Sequence, residues 1–404
     1  MRISRTVTLL ALLCLLVPAV AACGNGVGTP RVLRVLGPWL NDPGDEHDES
    51  DVFTRVLADY GAANDLDIRY QGTRAIGQAL RAKVKDGTLP DIAILPTVGE
   101  LAGLATEGLA QPVTSVVRPG TKKPAQGERV TVDPRALWRG DRAYAVAIKT
   151  DVKSLIIHRS AEDPPMLVEP AGYGAAKWCL GLSATSPGWP GTDWIEDLLL
   201  QSQGPVVYEK LASGEMSWRD TEAVWTTFAG YLDRKNPKHA LLTSPAEAAE
   251  DLTADRCQLL HQSSFYAPAG ARIARSGLLT EVSGDFAARF TTNSAAEDLL
   301  EYLAAGKQWV AAGQGRVISL DPDPAAYDET RRPVAETLRN APTRCLDASD
   351  AMPATMADAF QNTVLRFVAD PDRTAHLDDL LKQLDLVRAA TETVAERVTV
   401  RCSP

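Results

Sequence analysis

The chain has 404 residues, of which 45% are apolar and 23% charged, and its formal net charge is −10. That length exceeds what one ordinary core organises and predicts two domains. The acidic balance excludes a nucleic-acid partner and a polybasic membrane contact as working hypotheses.

Arg2 and Arg5 precede an apolar run over residues 9–20, broken only by Pro18, and Ala21 and Ala22 follow. Such a segment reads as a secretory signal, residues 1–22, too short and wrongly flanked for a membrane span. Val20-Ala21-Ala22-Cys23 is similar to the bacterial lipobox, which implies cleavage before Cys23 and lipid on its thiol. The alternative is an ordinary signal peptide with an incidental cysteine. Residues 23–30 are then the lipidated cysteine and a glycine-rich tether. With Cys14 and Cys23 accounted for, Cys179, Cys257, Cys345 and Cys402 remain. An exported chain favours disulfides among them, and four cysteines leave three pairings open. Their spacing is too wide for a zinc site, and no histidine pair accompanies them.

Residues 31–36 alternate as a strand that ends at Gly37-Pro38-Trp39. Ser50 starts a helix with Val52, Phe53, Val56, Leu57 and Tyr60 on one side. A second strand spans 66–70, and a second helix carries Ile76, Leu80 and Val84 inward. A short buried strand, 90–96, begins at Asp91. Alternating strands and helices with short links predict a parallel sheet covered on both faces. Ligands of such sheets bind beyond the strand carboxyl ends, where Trp39, Thr73 and Arg74 lie. Further helices are expected within 213–234 and over 295–308, 332–340 and 378–385.

Residues 177–182 and 188–197 hold Trp178, Trp189 and Trp194, three of the eight tryptophans. Gly188, Pro190 and Gly191 predict a loop, and Thr192 caps a helix with Trp194, Ile195, Leu198 and Leu199 on one face. Trp189 and Asp193 suit a sugar: an aromatic face stacks on the C–H face of a pyranose, and a carboxylate accepts from its hydroxyls. The plainer alternative is that these tryptophans fill a core. Trp138, Trp218, Trp225 and Trp309 are expected to do so.

Several segments together resemble the extracellular solute-binding proteins of carbohydrate ABC importers, in particular the alpha-glucoside-binding type. They are 70–74 (Tyr-Gln-Gly-Thr-Arg), 80–84, 89–93 (Leu-Pro-Asp-Ile-Ala), 143–146, 151–155, 178–197, 257–265 and 346–353. Their order along the chain is more specific than any one of them. The chain departs from that pattern in a short, proline-rich stretch over 160–177 and in Leu260-His261-Gln262, where a basic residue usually stands.

The resemblance implies an α/β, two-lobed, periplasmic-binding-protein-like clamshell of the type II kind, each lobe a mixed sheet flanked by helices. The N-lobe would comprise 31–148 plus 272–324 and the C-lobe 149–271 plus 325–404, with crossings near 149, 271 and 325. It implies a monomer, lipid-anchored at the extracytoplasmic face of a bacterial membrane, that closes on a carbohydrate and presents it to permease subunits. Trp39 and Trp189 would stack on the ligand. Thr73, Arg74, Asp91, Asp193 and Asp350 would bind hydroxyls, and Trp194 would form a wall. The implied disulfides are Cys179–Cys257 and Cys345–Cys402.

No nucleophile elbow, phosphate loop or His-Glu-x-x-His is present, and the five histidines are scattered. No catalytic residue, cofactor or metal is therefore expected. Asp193/Asp197 and Asp347/Asp350 have the spacing of exposed or capping acids, and His261 reads as structural. Two other functions remain open: a clamshell lipoprotein that serves as a sensor, and a secreted glycosidase, which would need an acid pair across a cleft.

Overall fold

The structure is a computed structural model that describes residues 31–40, 49–117, 121, 123–124, 130–168, 177–183, 188–232, 237–312, 318–392 and 397–403. The expected signal, the tether and Cys23 lie outside the described residues.

Thirteen strands are described. They are β1 (Arg31–Gly37), β2 (Leu66–Gly72), β3 (Ile92–Leu95), β4 (Val130–Val132), β5 (Ala136–Arg139), β6 (Arg142–Val152), β7 (Leu155–His158), β8 (Trp178–Cys179), β9 (Leu259–His261), β10 (Arg272–Arg275), β11 (Thr280–Arg289), β12 (Arg344–Leu346) and β13 (Thr399–Val400). The larger sheet runs β13-β4-β5-β6-β11-β3-β1-β2, with β12 also paired to β11, and the smaller runs β10-β7-β9-β8.

The expected strand–helix–strand start is present. β1 lies between β2 and β3 and is parallel to both. Because both crossovers are right-handed by preference while the strand order reverses at β1, their helices fall on opposite faces. Helix Glu49–Asn64 lays Val52, Phe53, Val56 and Leu57 against Leu33, Val35, Ile92 and Ile94. Helices Ile76–Lys85 and Val98–Thr106 lay Ile76, Leu80 and Leu101 against Leu36, Ala93 and Leu95 on the other face. Burial on both faces explains why β3 is apolar throughout. From β3 onward the neighbours turn antiparallel through β11, β6, β5 and β4, so the sheet is mixed.

β6 stays in the larger sheet as far as Val152 and β7 starts the smaller one at Leu155, so the chain passes between the sheets at Lys153-Ser154, near the expected crossing at 149. β10, expected in the N-lobe, pairs with β7 in the smaller sheet, and the return falls between Arg275 and Thr280. β12 and β13, expected in the C-lobe, add to β11 and β4 of the larger sheet. Gly99, at the start of helix Val98–Thr106, passes so close to Met352 that a Cβ would stand 2.1 Å from its carbonyl oxygen.

Both implied disulfides are present, Cys179–Cys257 with Cα atoms 5.4 Å apart and Cys345–Cys402 with Cα atoms 4.2 Å apart. The first fastens β8 to the residues entering β9. The second fastens the tail carrying β13 to β12, where Arg344 and Ser403 also exchange backbone hydrogen bonds of 2.6 and 2.8 Å.

Candidate functional site

Helix Trp189–Ala212 begins three residues before the expected cap, because Gly188 adopts φ 95° and takes the cap position. Any side chain at Gly188 would also meet the Gln361 carbonyl at 2.6 Å. Starting the helix at Trp189 puts Asp193 one turn on, on the same face, and rotates Trp194 away by about 100°. Trp194 is accordingly 1% exposed and packs against Trp178, Phe228, Tyr231 and His261, with ring centroids 4.7, 5.6, 5.1 and 4.7 Å away. It is core, where a ligand wall was expected. His261 is structural, as read: its Nε2 lies 2.8 Å from Asp197 Oδ2, and both side chains are buried.

Trp189 itself is half-buried and stacks at 21° on Tyr266, with Phe265 also 6.1 Å from it between ring centroids. Phe265 and Tyr266 come from the single turn Ser264–Tyr266 that follows β9. Phe265 remains 39% exposed. The three rings form an apolar wall beside the first crossing. Lysines at the end of β6 and just beyond it support that wall: Lys153 Nζ lies 4.4 Å from the Trp189 ring centroid and Lys149 Nζ 5.3 Å from that of Phe265. A cation held over a ring face fixes the ring's plane.

Acids anchor both lysines. Lys149 sits 3.0 Å from Asp151 and 3.7 Å from Asp285. Lys153 sits 2.9 Å from Asp193 and 3.5 Å from Asp347. Burial alone would lower the Lys153 pKa, but the charges of Asp193, Asp347 and Asp350 more than reverse this, so it stays an ammonium. Burial pushes the Asp193 carboxyl up to about 7, against the pull of Lys153. Asp193, Asp197 and Asp347, expected as exposed or capping acids, are at most 1% exposed. Asp347 does also cap the turn Ala348–Ala351 by accepting from the Asp350 amide.

Asp350 is the acid of this group left half-exposed. Burial and the neighbouring Asp347 charge hold its carboxyl well above the usual range. The structure thus brings Trp189, Asp193 and Asp350 together around Lys153, which the sequence reading did not single out as a site residue. It likewise passed over Phe265 and Tyr266.

The other expected site residues stand at the ends of β1–β3. Trp39 is half-buried against Phe53 and Trp309, 4.9 and 5.4 Å away. Arg74 is exposed, and Thr73 ties its amide to the Gly37 carbonyl at 2.9 Å. Asp91 is 8% exposed and braces the sheet: its Oδ2 accepts from the Arg34 amide at 2.8 Å and its Oδ1 from the Thr291 hydroxyl at 2.7 Å. Asp91→Ala would leave two donors unpaired and is expected to cost about 2–4 kcal/mol of stability with ligand affinity unchanged. Urea denaturation alongside calorimetry checks both parts, and a selective loss of affinity would return Asp91 to the ligand.

No family model matches the chain. The osmoprotective-compounds-binding protein GgtB of Synechocystis is 26% identical over 400 residues, covering 88% of this chain and 93% of that protein. The alpha-glucosides-binding periplasmic protein AglE of Rhizobium meliloti is 28% identical over 262 residues, 58% of this chain and 56% of its own length. Among solved structures, the bacterial solute receptor AcbH, described as preferring β-D-galactopyranose, superposes with a TM-score of 0.68 at 14% identity, covering 90% of this chain and 99% of that one. Homology and fold together make this chain a relative of the periplasmic solute-binding proteins of sugar ABC importers, built on their two-lobed frame.

Proposed function

We propose that this protein captures a sugar or oligosaccharide of the alpha-glucoside class between its lobes and delivers it to an ABC permease. In this reading it acts as a monomer, held at the extracytoplasmic face of the membrane by lipid on Cys23. The observation that carries the reading is the cluster of Trp189, Phe265 and Tyr266, with Phe265 39% exposed, beside Lys153, where the chain passes from the larger sheet to the smaller. A pyranose needs that combination: a flat apolar surface for its C–H face and hydrogen-bonding groups at the rim for its hydroxyls. The binding functions of the homologues support the same reading. The work is done by binding and hinge closure, with no covalent step.

Calorimetry of the mature chain against α- and β-linked glucosides and galactosides tests it. An α-glucoside should titrate. Phe265→Ala and Trp189→Ala should each weaken binding by about 1–3 kcal/mol, roughly five- to two-hundred-fold. Because Phe265 is already 39% exposed, its loss should leave the apo melting temperature nearly unchanged. If both variants titrate like the parent, the aromatic wall is not the ligand platform.

A further inference from the structure

Behind the aromatic cluster, three buried carboxyl groups converge. Glu196 lies on helix Trp189–Ala212, Glu281 at the start of β11 and Asp347 just after β12. All are at most 1% exposed, and one oxygen from each lies within 4.8 Å of the others. Three oxygens around one ion at about 2.4 Å are at most about 4.8 Å apart, which is the calcium–oxygen range.

The hydrogen bonds show how these carboxylates are held. Both Glu196 oxygens accept from backbone amides, Ala348 and Ser349, each at 3.1 Å. Asp347 Oδ1 accepts from the Ser349 hydroxyl at 2.7 Å and the Asp350 amide at 3.0 Å, and its Oδ2 faces Lys153 at 3.5 Å. Glu281 Oε1 accepts from the Tyr208 hydroxyl at 3.3 Å. Glu281 Oε2, fully buried, has no hydrogen-bond partner.

Burial and the neighbouring acids hold the Glu196 and Glu281 carboxyls well above the usual carboxylate range, and a cation bound between them would take the place of the protons that burial favours there. The Glu281 oxygen without a hydrogen-bond partner belongs to one of the three converging groups. All the donor atoms are oxygen, which selects a hard cation over zinc or copper. We propose that Glu196, Glu281 and Asp347 form a binding site for one divalent cation of the calcium class, with the Tyr208 hydroxyl beside it.

The position gives the site a consequence. Glu281 opens the strand that returns from the smaller sheet, Asp347 follows β12, and Glu196 belongs to the helix that carries Trp189. A cation there would tie the lobe crossings to the base of the aromatic wall. No sequence motif announces it, because the three ligands come from widely separated segments.

The test uses the mature chain, stripped with EDTA and dialysed against calcium, with bound metal read by atomic emission and stability by thermal melting. The expected result is about one calcium per chain and a melting temperature about 3–5 °C higher at calcium a hundredfold above its dissociation constant, with a smaller effect of magnesium. Glu281→Gln should abolish both the bound calcium and the shift. Glu196→Gln serves the same purpose if the first variant does not fold. A parent chain that binds no calcium and melts unchanged across millimolar calcium overturns the proposal and leaves shared protons as what neutralises the cluster. Unaltered calcium binding by folded Glu281→Gln and Glu196→Gln overturns the assignment to these residues.

Discussion

Lys153→Met is expected to destabilise the fold by about 3–5 kcal/mol, the range for removing one partner of a buried ion pair. Lys153 is 5% exposed, and its ammonium is the positive charge within 4.0 Å of both Asp193 and Asp347. Methionine fills much of the same volume, so the cost reports charge more than packing. What makes it large is what stays behind: Asp193, whose Oδ1 already lacks a partner, would lose the donor on its Oδ2 as well. Ligand affinity should fall too, since the same ammonium holds the Trp189 ring. Urea denaturation measures the first effect and calorimetry the second. Adding Asp193→Leu to Lys153→Met should recover part of the loss, giving a coupling of about 0.5–3 kcal/mol. Additive single effects would show that the two side chains do not act as a pair.

The parts of this structure that the sequence reveals are those set by local pattern. The helix facing β1 was legible because Val52, Phe53, Val56, Leu57 and Tyr60 repeat at helical spacing, and all five are buried. The first three strands were legible because their links are short and their apolar residues dense. The smaller strands were not. β10 is four residues whose partner, β7, lies more than a hundred positions earlier, and β13 is two residues whose partner is β4. Nothing in Arg272–Arg275 itself says which sheet it joins. The site divides in the same way. Trp189 and Asp193 could be picked out together because they share a stretch of sequence, but Trp194 came with them through adjacency alone, and one residue of helix turns it into the core. Lys153 gives no local signal. Its role comes from Asp193, forty positions on, and from Asp347 in a different element.

Replacing both Cys179 and Cys257 with alanine is expected to cost about 4–5 kcal/mol, because the bond closes a loop with a sequence separation of 78 in the unfolded chain. Cys345 and Cys402 are 57 apart, and since loop entropy grows only with the logarithm of length, the two losses should differ by about 0.3 kcal/mol on entropy alone. A larger difference would then report what each bond holds in the folded state. The Cys345–Cys402 bond fixes a two-residue edge strand, β13, and a tail that Glu209 also grips through the Cys402 amide at 2.7 Å. The Cys179–Cys257 bond fixes β8, an edge strand of the four-stranded sheet paired with β9, the strand that leads into the turn presenting Phe265 and Tyr266. Its loss should therefore weaken ligand binding as well as stability, whereas loss of the other bond should leave binding intact. Urea denaturation and calorimetry on the two double-alanine variants measure this. Equal effects of both on binding would mean that the aromatic wall does not depend on the small sheet's edge.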